Sequence, residues 1–181
     1  MTGGVTYFGA TRWVTWSISL MLIWLNYRYG RRGQSLLDCQ DQSFTQQLVH
    51  SLLHGGIIHL LVNLWSFYQL SYLEEKYGSW NYLLLVTILW LMSSALYWLI
   101  NTYLLDTPIC SIGFSGVILA LLGWSRMVLT NGRFNLEEAK RWLITLVAPM
   151  IQNPRISLLG HASGLVSGLM LFVILGPVLE N

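Results

Sequence analysis

Charged side chains are scarce in this sequence: Asp, Glu, Lys and Arg together make up 10% of its 181 residues. An ordinary soluble domain carries roughly 25%. A chain that is also 54% hydrophobic cannot cover a soluble globule with polar groups. The composition therefore predicts that lipid is the solvent for much of the protein surface.

Other absences narrow the range of functions. The sequence has no run of basic residues and a net charge of only +2, which argues against nucleic-acid binding. All eight acidic residues fall in predicted loops or at the ends of apolar segments, which argues against an ion-coupled transporter. The two cysteines, Cys39 and Cys110, match no zinc or redox spacing. Two unpaired thiols are the favoured interpretation, and a disulfide on the outer side of the membrane stays open.

Apolar segments recur along the chain and predict an all-α integral membrane protein, a single domain built as a bundle of six transmembrane helices. The third segment is the clearest, because it has neither charge nor histidine, whereas the fifth is short and contains Pro149. Lys and Arg are more numerous in the loops on the side of the N-terminus, which predicts a cytoplasmic N-terminus. The predicted spans cover residues 13–27, 48–72, 81–105, 113–130, 141–152 and 156–179.

Four polar side chains lie in the first halves of the second, fourth and sixth predicted spans: His59, Asn63, Ser115 and His161. These spans cross the membrane in the same direction, so the four residues fall in the same leaflet. His59 and Asn63 are one helical turn apart and share a face. A serine hydroxyl becomes a good nucleophile when a histidine takes its proton, and an oxyanion needs hydrogen-bond donors. The pattern predicts a Ser115–His161 dyad without a third carboxylate.

A stripe of glycines in the sixth span supports this convergence. Gly160, Gly164 and Gly168 are spaced by four residues and therefore lie on one helix face. Small residues at this spacing let two helix backbones approach closely. We therefore predict that the fourth and sixth spans pack together and bring Ser115 to His161.

Three motifs in the sequence resemble those of the rhomboid intramembrane serine proteases, in their six-helix bacterial form. The motifs are "HSLLHGGIIHLLVN" at residues 50–63, "GFSG" at 113–116 and "GHASGLVSG" at 160–168. The family pattern is H-x3-H-x4-H-x3-N on the second helix, G-x-S-G on the fourth and A/G-H-x2-G-x3-G on the sixth. Each motif is short, but their order along the chain makes the combination specific.

The resemblance implies a role for each matching residue. Ser115 is the implied nucleophile, His161 the general base, and His59 and Asn63 the donors to the oxyanion. The implied reaction is hydrolysis of a peptide bond in or near a transmembrane segment of another protein, without cofactor or metal. The site would open to the periplasmic side of a bacterial inner membrane, with the lipid bilayer and single-span proteins as partners. Supporting positions are His50, His54, Gly113, Gly116, Gly160, Gly164 and Gly168.

The sequence departs from the family pattern at two places. Thr45-Gln46 stands where the first loop often has Trp-Arg, and Leu119 stands where a Tyr often packs against the catalytic imidazole. These changes affect loop anchoring and the rigidity of the dyad rather than the chemistry. The segment "LVAPMIQNPRISLLG", residues 146–160, is the implied gate or cap.

Several alternatives stay open at this point. A pseudoprotease on the same scaffold would bind transmembrane segments without cleaving them, and a rhombosortase-like enzyme would trim C-terminal sorting tails. A metal site formed by His50, His54 and His59 is a weaker rival, because His59 is offset from the helix face shared by the other two. We predict instead that His50 and His54 hold the loop above the mouth of the second span.

Overall fold

The computed structural model describes residues 12–29, 43–107, 109–133, 137, 140, 144 and 157–179. For residues 177–179 it describes the backbone alone. The described part of the chain is helical and contains no strand. Seven helices have both ends within these ranges, and residues 137, 140 and 144 are helical as well. The seven are α1 Trp13–Tyr29, α2 Phe44–His50, α3 Ile57–Gln69, α4 Tyr72–Tyr77, α5 Ser79–Tyr103, α6 Ser115–Leu129 and α7 Leu158–Leu179.

Two of the described helices are long and apolar enough to cross a membrane. They are Ser79–Tyr103 in α5 and Leu158–Gly176 in α7. At 1.5 Å per residue, α5 is about 37 Å long, which exceeds the hydrocarbon core of about 30 Å. Helix α6 is apolar but has only 15 residues. The six-span architecture therefore stays a prediction, and within the predicted fifth span the structure describes only Ile144, which is helical and exposed.

The predicted second span, residues 48–72, is not one continuous helix, and this part of the prediction is wrong. Helix α2 ends at His50, residues 51–56 form a turn, and α3 begins at Ile57. A side chain from α1 supplies hydrogen-bond partners to the backbone at this break. Asn26 accepts a hydrogen bond from the backbone N–H of His54 at 2.8 Å and donates one to the carbonyl of Leu52 at 3.3 Å. These contacts satisfy backbone groups that a continuous helix would otherwise pair internally.

Helices α6 and α7 pack backbone against backbone. A Cβ atom placed on Gly164 would lie 2.1 Å from the carbonyl oxygen of Gly116, and one on Gly168 would lie 2.0 Å from that of Ala120. From the first pair to the second, the residue number increases by four in both helices. Helices α6 and α7 therefore run in the same direction, as predicted for the fourth and sixth spans. The glycine stripe thus permits a contact that any side chain would prevent.

The carboxylate of Glu74, in α4, binds the N-terminus of α1. Its carboxylate accepts hydrogen bonds from the backbone N–H groups of Val14 and Thr15, each at 2.9 Å, and from the hydroxyls of Thr15 and Ser79, each at 2.7 Å. Glu74 is fully buried, although the sequence suggested only the end of a span at this point. A carboxylate suits this place because the first N–H groups of a helix lack internal partners and carry partial positive charge.

Candidate active site

Ser115 is the first residue of α6, and the residues before it fix where it points. Gly113 has a φ of +107°, a left-handed conformation that favours glycine. The N–H of Gly113 donates a hydrogen bond of 3.1 Å to the carbonyl of His50. The turn into α6 is therefore attached to the end of α2, and it leaves Ser115 partly exposed.

His161 lies in the first turn of α7, where its backbone N–H donates to the carbonyl of Ser157 at 3.2 Å. The side chain is buried. Its Nδ1 atom has no hydrogen-bond partner, carboxylate or other, among the groups that the structure describes. This environment fits a neutral imidazole that can accept a proton, without a third acidic residue to orient it.

The packing of α6 against α7 places Ser115 and His161 at the same end of the helix pair. Ser115 directly precedes Gly116, and His161 directly follows Gly160. A Cβ atom on Gly116 would lie 3.4 Å from the Gly160 carbonyl oxygen. The backbones of the two helices are therefore in contact at the end where both residues lie.

His59 contacts the turn that carries Ser115. A Cβ atom on Gly113 would lie 2.7 Å from Cε1 and 2.9 Å from Nε2 of the His59 ring, so the imidazole occupies the space beside that glycine. The His59 ring therefore lies beside the turn that leads into Ser115.

Asn63 lies one turn after His59 on α3 and is 4% exposed. Its Nδ2 donates a hydrogen bond of 2.8 Å to the carbonyl of His59. A primary amide carries two N–H donors, so one N–H of Asn63 is available for a further acceptor. Asn63 is therefore held on the same side of α3 as the His59 ring.

His50 and His54 are both buried and both support the loop around the site. His50 does so through the carbonyl that accepts the N–H of Gly113. The ring of His54 packs edge-on against that of His59, with centroids 5.0 Å apart and an interplanar angle of 70°. Its Nε2 also lies 3.4 Å from the backbone nitrogen of Phe114.

A small polar cavity of about 20 Å³ adjoins the turn and is flanked by Gly113 and Gly116, on either side of Ser115. A volume of about 10–15 Å³ is enough for a water molecule. Gln47 Oε1, in its wall, is buried without a hydrogen-bond partner in the described part of the chain. The cavity is thus able to bind water next to Ser115. Its polar lining comes from Gln47, Ser51, Ser93, Ser94, Tyr97 and Ser111.

Sequence reasoning missed the residues that hold the segment before Gly113. The N–H of Ile109 donates to Oδ1 of Asn101 at 2.8 Å, and the hydroxyl of Tyr97 donates to the Ile109 carbonyl. Asn26 was missed as well. In the sequence, these positions are distinguished only by a polar group in an otherwise apolar span. Such a group indicates a role in function or packing but does not identify the residue that it contacts.

The structure describes both places where the sequence departs from the family pattern. Gln46 belongs to a capping box: Ser43 Oγ accepts from the Gln46 N–H at 3.3 Å, and Gln46 Oε1 accepts from the Ser43 N–H at 2.8 Å. The ring of Phe44 packs against that of Trp98 on α5, with centroids 5.9 Å apart. These contacts anchor α2 without a Trp-Arg pair. Leu119 is buried, four residues after Ser115.

Cys110 is disulfide-bonded, which corrects the interpretation that favoured two unpaired thiols. The chain has one other cysteine, Cys39, and it lies outside the described residues, as does most of the predicted gate at 146–160. The spacing of the cysteines along the sequence could not predict this bond, because a disulfide depends on how far apart two cysteines lie in the fold.

A metal site at the three histidines finds no support in the geometry. Within the described ranges, no three His, Cys, Asp or Glu side chains come together in a way that could hold a metal ion.

The fold and the site define a helical membrane protein with serine and histidine at one end of a close helix pair. A model of the rhomboid domain matches residues 41–178. The chain is 32% identical over 131 residues to a rhomboid protein of Acanthamoeba polyphaga mimivirus, covering 72% of this chain and 74% of the viral protein. It is also 29% identical over 136 residues to rhomboid-like protein 15 of Arabidopsis thaliana, of which it covers 33%. The chain belongs to the rhomboid family.

Proposed function

We propose that this protein is an intramembrane serine protease that cleaves peptide bonds in or near transmembrane segments of other proteins. The observation that carries the proposal is the backbone contact of Gly116 with Gly160 and Gly164, which puts Ser115 and His161 at one end of α6 and α7. The His59 ring against Gly113 adds a possible donor beside the same turn. Serine, base and donors at one place are what acyl transfer requires.

In the first half of the reaction, His161 takes the proton of the Ser115 hydroxyl while Oγ bonds to the carbonyl carbon of the substrate. The carbonyl oxygen becomes an oxyanion, which accepts hydrogen bonds from the free N–H of Asn63 and from a ring N–H of His59. The intermediate collapses when its C–N bond breaks. His161 gives its proton to the leaving amine, and the acyl group stays on Ser115.

In the second half, a water molecule attacks the ester. His161 takes a proton from this water, the ester C–O bond breaks, and the proton passes to Ser115 Oγ. The polar cavity lined by Gly113 and Gly116 is large enough for such a water. All acid–base steps use His161 alone.

The substrates we propose are single-span membrane proteins, because the site lies at the end of apolar helices that belong in a bilayer. The position of Lys and Arg in the loops supports a cytoplasmic N-terminus and a site that opens outward. A bacterial inner membrane with a periplasmic opening is the corresponding proposal for location. It rests on the sequence, since the relatives named above come from a virus and a plant.

The test uses purified protein in liposomes with a single-span reporter. Ser115→Ala and His161→Ala should each reduce cleavage to the uncatalysed level, because each removes one half of the dyad. Ser125→Ala is the matched control: Ser125 is also buried in α6, but its hydroxyl donates only within its own helix, to Leu122 at 3.1 Å. Full activity in either dyad variant would refute the proposal.

A fluorophosphonate probe separates the alternatives. Wild-type protein should be labelled at Ser115, and Ser115→Ala should not. Protein that binds single-span segments but is neither labelled nor proteolytic would be a pseudoprotease. Cleavage restricted to glycine-rich C-terminal anchors would instead indicate an enzyme that trims sorting tails.

A further inference from the structure

Asn26 is the side chain of α1 that reaches the loop around the site. It is half-buried, and its neighbours Ile23, Trp24 and Tyr27 are exposed apolar residues. A polar group among lipid-facing side chains needs hydrogen-bond partners, because leaving an amide unpaired in an apolar medium is strongly unfavourable. Its partners are therefore informative about its role.

Those partners lie in the turn between α2 and α3. Oδ1 accepts the backbone N–H of His54 at 2.8 Å. Nδ2 donates to the carbonyl of Leu22, in its own helix, at 2.8 Å and to the carbonyl of Leu52 at 3.3 Å, and it lies 3.2 Å from Nδ1 of the His54 ring. One side chain thus fixes both the backbone and the ring of His54.

His54 in turn contacts two parts of the candidate site. Its ring packs edge-on against His59 at a centroid distance of 5.0 Å. Its Nε2 lies 3.4 Å from the nitrogen of Phe114, the residue directly before Ser115. A neutral imidazole has one acceptor nitrogen, so donation from Asn26 at Nδ1 competes with donation from Phe114 at Nε2. Asn26 therefore influences the tautomer of His54 as well as its position.

We propose that Asn26 is a positioning residue for the protease reaction, acting through His54 on His59 and on the turn that carries Ser115. The inference rests on the proposed function, since it assigns a part in that reaction. Asn26 itself touches none of the reacting groups. Its loss lets the ring of His54 move, and the oxyanion donor and the nucleophile lose their alignment.

The experiment compares wild type with Asn26→Leu, which has similar volume and suits the lipid-facing surface of α1. Labelling by the fluorophosphonate probe gives two values: the final labelled fraction, which counts folded sites, and the rate constant, which reports alignment. We expect the final fraction to be kept and the rate constant to fall about 10-fold or more, since small misplacements of reacting groups are costly. The kcat for a single-span substrate should fall with it, while KM stays near the wild-type value.

Asn81→Leu is the matched control. Asn81 is exposed at the start of α5, and its Nδ2 donates to the carbonyl of Tyr77, the last residue of α4, at 3.0 Å. It should leave the rate constant unchanged. A smaller labelled fraction with an unchanged rate constant in Asn26→Leu would show that Asn26 serves folding only, and would overturn the proposal. If Asn26→Leu fails to fold, Asn26→Asp keeps the acceptor for the His54 N–H but loses the donors, and the same comparison applies.

A second measurement does not depend on activity. The chain has only four histidines, so single substitutions assign their ring resonances in a ¹⁵N NMR spectrum. Asn26→Leu should shift the rings of His54 and His59 and leave that of His50 in place. Unchanged resonances of both would overturn the positioning role even in a protein without protease activity. Absence of probe labelling in the wild type would instead refute the proposed function.

Discussion

Gly113 is subject to two constraints at a single residue. Its φ of +107° is unfavourable for a residue with a side chain, and a Cβ atom there would lie 2.7 Å from the ring of His59. We expect Gly113→Ala to cost about 1–2 kcal/mol in backbone strain and to displace His59. The rate of fluorophosphonate labelling at Ser115 should therefore fall even in the folded fraction.

Gly132 provides the control for this prediction. It also has a positive φ, +72°, but lies in the turn after α6, where a Cβ atom would be 3.4 Å from Phe172. Gly132→Ala should lower the melting temperature by a similar amount and leave the labelling rate unchanged. Equal losses of rate in both variants would show that backbone strain alone, rather than contact with His59, limits the site.

A single substitution at Asn63 tests the proposal that this residue donates a hydrogen bond to the oxyanion. One of its N–H groups is bonded to the His59 carbonyl, and the other is free for the developing charge. Asn63→Ala should lower kcat about 100-fold with little change in KM, because the bond is strongest in the transition state. Steady-state kinetics on a single-span substrate measure both values. A raised KM with unchanged kcat would assign Asn63 to substrate binding instead.

At the scale of the helices, the α6–α7 contact is the feature on which the proposed dyad depends. A side chain on Gly164 must push against the backbone of Gly116, which cannot rotate away. Gly164→Ala should therefore destabilise the protein by about 1–3 kcal/mol and separate Ser115 from His161, with loss of cleavage. Gly56→Ala is the control, since nothing lies within 4 Å of a Cβ atom there and its backbone is extended. Thermal unfolding in detergent and the reporter assay provide the two readouts.

The contact of Glu74 with α1 and α5 permits a second test at the scale of the helices. Its carboxylate receives four hydrogen bonds from α1 and from the start of α5. Glu74→Gln removes the charge and turns one acceptor into a donor that faces other donors. We expect a loss of about 2–3 kcal/mol in the free energy of unfolding.

The adjacent Glu75 supplies the control. It is 45% exposed and pairs with Arg12 at 2.7 Å, a hydrogen bond that raises the pKa of the Arg12 guanidinium. An exposed ion pair contributes below about 1 kcal/mol, so Glu75→Gln should have little effect on unfolding. Equal effects of the two substitutions would contradict the role given to Glu74.

At the scale of the whole molecule, Cys110 is disulfide-bonded. Cys110 lies in the segment that Tyr97 and Asn101 hold through Ile109, five residues before Ser115. Reduction or Cys110→Ser should lower the free energy of unfolding by about 2–4 kcal/mol. Intact mass of the non-reduced protein should increase by two hydrogens on reduction, and an unchanged mass would contradict the bond.

The sequence by itself determined the features that depend on local pattern. The apolar run of α5 predicted a long helix because no charged residue interrupts it, and the observed helix, Ser79–Tyr103, lies within two residues of the predicted 81–105. The spacing of Gly160, Gly164 and Gly168 placed a small-residue face on α7. The order of the three motifs indicated the rhomboid family, to which the chain belongs.

Only the tertiary structure decided the features that need a distant partner. The turn between α2 and α3 is hydrogen-bonded by Asn26, 28 residues before His54, and the carboxylate of Glu74 binds the start of α1, 60 residues away. The physical reason is common to these cases: a polar group in an apolar surrounding takes whatever partner the fold brings near, and the local sequence does not encode which partner that is.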